Sequence, residues 1–202
     1  MMRPARHLFV LACATALGGC VSVLPEPFIP SALIALPAER AVAPASPLQA
    51  DVAVYPPESS RAFAGVDIAV RQEQELVYLN DVRWSDNAPS LLQGAVVNSL
   101  TKAGGPGRAA PAALGADVDY EVRWRIVDLS AGRETSPGRV EVQVSLLDAF
   151  NRRMVAQETF SAEGSPVDRA PRARAAALAL AAQRVADEVA AFVARNALAR
   201  LQ

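Results

Sequence analysis

Apolar and polar side chains alternate most regularly over residues 118–126. The apolar positions of this segment are Val118, Tyr120, Val122, Trp124 and Ile126, and charged residues fill the positions between them. A period of two over this length predicts a β-strand with one buried and one solvated face. Residues 140–146 and 154–160 repeat the alternation on either side of a turn at Asn151. The three segments together predict an antiparallel meander, with Trp124 in the core.

Shorter apolar runs, bounded by proline or polar residues, predict further strands in the first half of the chain. These runs lie at residues 31–36, 50–55, 66–70 and 76–79. The polar turn 71–75 joins the last two runs, which predicts a hairpin. Residues 37–49 and 107–115 are rich in small residues and proline, so we expect irregular connections there.

A helix is predicted after the fourth of these strands. Asp86 or Asn87 can cap its start, and Pro89 fits its first turn. The sequence Gly-Gly-Pro at 104–106 is a strong signal for its end. Its apolar stripe consists of Leu92, Val96 and Leu100 at helical spacing.

A second and longer helix is predicted over about residues 169–198, with Asp168 as its cap and Pro171 near its start. Its apolar stripe consists of Leu178, Ala182, Val185, Val189 and Phe192. The stripe fits either a coiled-coil seam or docking on the sheet of the same domain. We favour docking, because a meander with one apolar face needs a cover. The expected fold class is therefore α/β: a single-domain sandwich whose mixed or antiparallel sheet is covered by two helices.

Composition limits the classes of function that need consideration. The chain has 202 residues, of which 51% are hydrophobic, and a net charge of −1. This apolar fraction suffices for one well-packed domain and argues against wholesale disorder. The near-zero charge argues against a nucleic-acid-binding protein, which normally carries a basic excess.

The N-terminus has the pattern of a bacterial lipoprotein signal. Arg3 and Arg6 precede an apolar run at 8–17 that is too short to span a bilayer, which needs about 20 residues. The sequence Leu-Gly-Gly-Cys at 17–20 then matches the lipobox. We expect cleavage between Gly19 and Cys20, and a diacylglycerol and an N-acyl chain on Cys20. The alternative is an ordinary signal peptide in which the cysteine occurs by chance.

Three regions follow from this assignment: a removed signal peptide at 1–19, a lipidated cysteine with a Pro-rich tether at 20–30, and the folded domain at 31–202. The tether reaches roughly 30 Å at about 3.1 Å per residue. Cleavage removes Cys13 and His7, so the mature chain has no histidine and no second thiol. We therefore expect no metal site, no cofactor beyond the acyl chains, and no catalytic residue based on histidine or cysteine.

The segment 76–100 reads LVYLNDVRWSDNAPSLLQGAVVNSL and combines Tyr78, Arg83 and Trp84 with an amphipathic helix. Together with the lipobox, this segment resembles the ABC-type transport auxiliary lipoprotein family, which includes the paraquat-inducible-protein-C-type lipoproteins. Other matching features, in order, are the strand before Pro56, the strand 66–70, the strand 144–148 with its Asp148, and a C-terminal helix.

The resemblance implies an accessory lipoprotein of an ABC transporter that carries MCE-type substrate-binding proteins. Such systems move phospholipids or other hydrophobic molecules between the inner and outer membranes. The expected partners are the MCE protein, the permease and ATPase, and the membrane itself; the family also suggests a homo-oligomer. Val21, rather than Asp, follows Cys20. This favours the outer membrane over the inner one, with the domain on the periplasmic face.

Four residues are singled out as candidate contacts. Arg83 and Trp84 are candidates for partner contact, although Trp84 is more simply explained as a plug between helix and sheet. Arg123 and Arg125 are candidates for binding a lipid phosphate, although such a pair often only solvates a strand. Two other functions remain open. One is an assembly lipoprotein for an outer-membrane machine that exports lipopolysaccharide or another polymer. The other is a carboxylate-only hydrolase, which requires an acid pair that converges in a pocket.

Overall fold

The computed structural model describes residues 29–199 and has the predicted class, a mixed α/β fold with a long C-terminal helix. Two helices, α1 (Ala88–Lys102) and α2 (Pro171–Asn196), accompany an eight-stranded sheet. The strands are β1 (Ala32–Ile34), β2 (Val52–Val54), β3 (Asp67–Gln72), β4 (Glu75–Trp84), β5 (Ala109–Pro111), β6 (Tyr120–Ala131), β7 (Gly138–Asp148) and β8 (Met154–Gly164).

Strand β6 is the centre of the sheet. Along one edge it pairs antiparallel with β7, and β7 pairs with β8, so the predicted meander is confirmed. Along the other edge two shorter strands lie end to end, both parallel to β6: β2 beside its first residues and β3 beside its last. Strand β5 continues the sheet outward from β2, and β4 and then β1 continue it from β3.

The alternation in β6 changes phase once. Ile126 pairs with Val142, but the next pair is Asp128 with Glu141, so Val127 is an extra residue in the strand. Val127 is accordingly 43% exposed, whereas Leu129 and Ala131 return to the buried side. A bulge of this kind lets a long strand bend without losing its buried face.

Both helices cover the same side of the sheet. Asn87 caps α1, because its Oδ1 accepts a hydrogen bond of 3.0 Å from the backbone N–H of Ser90. Helix α2 packs on β6, β7 and β8 and on α1, which confirms docking on the chain's own sheet. The rings of Phe160 and Phe192 meet edge to face at 5.6 Å. All five residues of the predicted α2 stripe are buried, as is Trp124.

Three local predictions are corrected. Asp168 does not cap α2, because the cap residue is Ala170. Asp168 instead accepts a hydrogen bond from the backbone N–H of Ala170. Strand β4 runs five residues past the predicted end at Leu79, because Asp81 adopts a left-handed conformation that returns Val82 and Trp84 to the buried face. The connection after α1 contains β5, which has no alternating pattern to reveal it.

The expected signal peptide, the cleavage site at Gly19 and Cys20, and the tether up to residue 28 lie outside the described residues. Within residues 29–199, no helix combines the length and hydropathy required to cross a bilayer.

Candidate partner surface

The side of the sheet opposite the helices carries the charged residues of the alternating strands, and we call it the open face. Arg123 and Arg125 lie on it, because each alternates with a buried residue of β6. Arg83 lies on it for the same reason, between the buried Val82 and Trp84. The structure thus places all three predicted arginines on one face.

Trp84 lies on the other side of the sheet and is 3% exposed. It shares a small internal space with Leu92 of α1, Leu129 of β6 and Ala182 of α2. It therefore fills the junction between the helices and the sheet. The role of Arg83 and Trp84 in contacting a partner stays a prediction.

A cluster of hydrogen-bonded side chains around Glu121 lies at the end of the open face beside β2. Glu121 Oε2 accepts hydrogen bonds from Arg123 Nε at 3.1 Å and Arg123 Nη2 at 3.0 Å. Glu121 Oε1 accepts one of 2.7 Å from Arg152 Nη1 and a longer one of 3.4 Å from the Tyr55 hydroxyl. The guanidinium carbon of Arg123 lies 3.2 Å from the centre of the Tyr55 ring, so the same arginine also makes a cation–π contact.

The charge balance of this cluster is positive. Burial by itself would raise the pKa of Glu121, but hydrogen bonds from Arg123 and Arg152, with their charges, hold that pKa below its ordinary value. One carboxylate therefore serves two guanidinium groups. Arg125, the next open-face residue on β6, donates to the neutral amide oxygen of Gln143 at 2.9 Å. These arginines leave positive charge that the cluster does not neutralise.

Further along the open face the arginines are matched with acids. Arg71 binds the buried Asp128 at 2.8 Å, and Asp128 also accepts a hydrogen bond from the Ser130 hydroxyl at 2.7 Å. Arg83 binds Asp67 at 3.0 Å. Each of these two arginines thus has an acid of its own, whereas Arg123 and Arg152 share one carboxylate.

An exposed aromatic residue lies on the same turn as Arg152. The turn between β7 and β8 presents Phe150, which is 86% exposed. Asp148 Oδ1 fixes the turn by accepting hydrogen bonds from the N–H groups of Phe150 and Asn151, at 2.9 and 3.0 Å. Arg152 of the same turn reaches Glu121, so the turn is continuous with the open face. Sequence reasoning missed Phe150, although a large aromatic residue at the tip of a polar turn is itself a signal.

Acidic residues also come together, beside the same turn. Asp51, Asp117 and Asp119 line a depression of about 510 Å³. However, Asp51 Oδ1 accepts from the backbone N–H of Arg108 at 2.8 Å, and Asp119 Oδ2 from that of Asp51 at 2.9 Å. Two of the three aspartates are thus engaged in holding loops rather than presented as a converging acid pair. Within residues 29–199, no three or more His, Cys, Asp or Glu side chains are grouped to hold a metal ion.

Solved structures share this fold. Protein XCC0632 from Xanthomonas campestris, of the family model DUF330, superposes with a TM-score of 0.67 at 21% identity, covering 77% of this chain and 91% of its own. A crystal structure of an uncharacterized protein gives 0.61 at 13% identity, covering 80% and 97%. The PelC dodecamer from Paraburkholderia phytofirmans gives 0.47 at 17% identity, covering 79% and 95%, which is too loose to carry over an assembly.

Sequence comparison identifies the family. No curated protein matches this chain in sequence. A family model does match, over residues 33–190, and it describes the ABC-type transport auxiliary lipoprotein component. Because this match spans well over half of the chain, the protein belongs to the family of ABC-type transport auxiliary lipoproteins.

Proposed function

We propose that this protein is the docking lipoprotein of an MCE-type ABC transport system that moves phospholipids or other hydrophobic molecules between the inner and outer membranes. Membership of the family supports the coarser part of this proposal, a non-catalytic auxiliary role in transport within the cell envelope. The MCE partner and the lipid cargo come from the resemblance of the segment that contains Tyr78, Arg83 and Trp84.

The observation that carries a docking role is the exposed Phe150 on a turn held by hydrogen bonds. Aromatic and arginine side chains dominate the binding energy of protein interfaces. A turn whose backbone is already held in place loses little conformational freedom on binding. Phe150 lines the acidic depression on one side, and Arg152 of the same turn reaches the open face on the other, so the turn forms a surface suited to an MCE component with an apolar pocket.

The anchor sets where this surface operates. In this proposal Cys20 carries the acyl chains, which insert in the outer membrane, and the tether of roughly 30 Å keeps the domain near that membrane on its periplasmic face. Arg125 is the better placed of the two proposed lipid-phosphate ligands, because Arg123 is already bound by Glu121. A phosphate on Arg125 would add to the docking surface without displacing an ion pair.

Crosslinking in intact cells tests the proposal. The full-length lipoprotein is crosslinked to its neighbours and recovered, and the MCE protein is quantified by mass spectrometry. We expect Phe150→Ala to reduce its recovery about tenfold, the size typical of an interface hot spot. The matched control is Val167→Ala, because Val167 is 93% exposed but follows the opposite end of β8.

A second measurement separates docking from energy coupling. Membranes that lack the lipoprotein should retain the ATPase activity of the transporter, because a docking component does not hydrolyse ATP. Recovery of an outer-membrane barrel without any MCE protein would instead support the assembly lipoprotein. Equal recovery of the MCE protein by wild type and Phe150→Ala would show that Phe150 is not part of the interface.

A further inference from the structure

A groove on the outer side of α2 is separate from the open face. Residues 40–42, which precede β2, form one wall, and the end of β8 at Gly164 and Ser165 forms the other. Its volume is about 410 Å³, within the range of pockets that hold small molecules. We call it the α2 groove; its principal lining residues are Arg40, Val42, Ala177, Leu180, Gln183 and Arg184.

One part of the α2 groove is apolar although it faces solvent. Leu180 is 36% exposed and Val42 is 64% exposed, and both line the groove together with Ala177. Side chains of this kind, gathered along a groove, provide a surface for a hydrocarbon chain.

The polar part of the α2 groove carries an excess of positive charge. Arg40 and Arg184 both line it, and the hydrogen bond of Arg184 goes to a neutral group, the backbone carbonyl of Glu163. Asp187 also lines it, but its Oδ1 accepts hydrogen bonds from Ser99 Oγ at 2.6 Å and Gln183 Nε2 at 3.0 Å. Asp187 is thus committed to the contact between the helices, and the arginines favour an anion.

A buried acceptor beside the groove is without a partner. Gln183 is 2% exposed, and its Nε2 donates to Asp187, which fixes Oε1 as the free end of the amide. Among residues 29–199, no donor reaches Gln183 Oε1. Since buried polar atoms are normally paired, this oxygen marks a place for a donor from a ligand. Gln183 lines the α2 groove together with Arg40 and Val42, whose side chains are exposed.

We propose that the α2 groove binds an anionic single-chain phospholipid. Its phosphate binds Arg40 and Arg184, and its hydrocarbon chain lies along Val42, Ala177 and Leu180. The free hydroxyl of its glycerol backbone, which is acylated in a two-chain phospholipid, donates to Gln183 Oε1. A fatty acid fits less well, because its carboxylate at neutral pH has no proton to donate. This inference requires neither the MCE partner nor docking through the open face.

Photolabelling of the full-length protein in phosphatidylcholine vesicles tests the site. The probe is a lysophosphatidic acid with a diazirine in its acyl chain, and mass spectrometry locates the label. We expect label on residues 177–187 and 40–42, and a loss of about tenfold in the double variant Arg40→Glu with Arg184→Glu, as expected for charge-assisted hydrogen bonds. Arg172→Glu, on the same helix but outside the groove, should keep the wild-type yield.

Gln183→Leu separates recognition of the ligand from a structural role of the side chain. It should lower labelling by the lysophosphatidic acid probe but not by a photoreactive alkyl phosphate, which has no glycerol hydroxyl. Thermal melting checks that each variant is folded. Three outcomes would overturn the proposal: label outside the groove, an unchanged yield in the double arginine variant, or equal labelling by a neutral monoacylglycerol or by a photoreactive fatty acid.

Discussion

Glu121 shows how a charged residue in the middle of a strand is stabilised at the scale of a single side chain. Its side chain is only 10% exposed, and burial of an unpaired carboxylate would be unfavourable. Arg123 lies two residues away on the same face, so alternation alone indicates that pair. Arg152 lies 31 residues away in sequence and meets Glu121 only because the β6–β7–β8 register brings the turn back to the start of β6.

The pKa of Glu121 gives the folded state a pH dependence. Because this pKa is lower in the folded protein than its ordinary value of 4.5, the carboxylate contributes stability above about pH 4.5. The contribution disappears as the pH falls through the folded-state pKa. We expect Glu121→Gln to lower the free energy of unfolding by about 1–3 kcal/mol at pH 7, the value of hydrogen bonds to a charged group. Urea unfolding of the chain from Val21 onward measures this change in the free energy of unfolding.

The same measurement in acid is the critical comparison. The difference between wild type and Glu121→Gln should shrink as the pH is lowered below 4.5, since protonation removes the charge from the wild type as well. Glu158→Gln, at an exposed position of β8, serves as the control and should show little effect at either pH. A difference that is constant with pH would mean that the ion pairs of Glu121 contribute nothing.

At the scale of elements, helix α2 depends on its buried stripe. Val185 of α2 is 0% exposed, and its side chain belongs to the hydrophobic core. Val185→Asp would bury a charge without a partner, and we expect the free energy of unfolding to fall by about 3–5 kcal/mol. Ala176→Asp introduces the same residue at an exposed position of α2. It should lower the free energy of unfolding by less than about 1 kcal/mol. Similar melting temperatures for the two variants would contradict burial of the stripe.

The start of α1 provides a second test at this scale. Asn87 Oδ1 accepts from the N–H of Ser90, one of the groups that a helix leaves unpaired at its N-terminus. Asn87→Ala should therefore lower the free energy of unfolding by about 1 kcal/mol. Asn87→Ser keeps an acceptor oxygen without placing a second carboxylate beside Asp86, whose Oδ1 accepts from Asn87 Nδ2 at 3.0 Å, and should stay close to wild type, as thermal melting would show. Equal losses in both variants would point to some other role for the side chain.

Elements with a strong period were predictable, and their irregularities were not. The alternation over 118–126 and the stripe of α2 reflect burial on one face, which a sequence records directly. The bulge at Val127 and the left-handed Asp81 depend on strand pairing, which no local pattern encodes. The same distinction applies to the candidate surface. The open-face positions of Arg83, Arg123 and Arg125 follow from alternation, whereas the fixed turn at Phe150 depends on where β7 and β8 separate.

At the scale of the whole molecule, the two candidate surfaces are independent of each other. The open face lies on the side of the sheet away from the helices, whereas the α2 groove lies on the outer side of the helical layer. Each surface can therefore be disabled without altering the other. What would bring both near a membrane is the predicted anchor at Cys20, which lies outside the described residues.

The predicted anchor can be tested by substituting each of the two cysteines of the chain. Cys20→Ala should abolish incorporation of labelled palmitate, because the thiol that accepts the diacylglycerol is lost. Cys13→Ala is a matched control, since it removes the other cysteine of the chain from within the signal. That variant should label and fractionate as wild type does. If Cys20→Ala retained the label, or if Cys13→Ala lost it, the lipobox at 17–20 would not be the site of lipidation, and the lipid would be attached at another position of the chain.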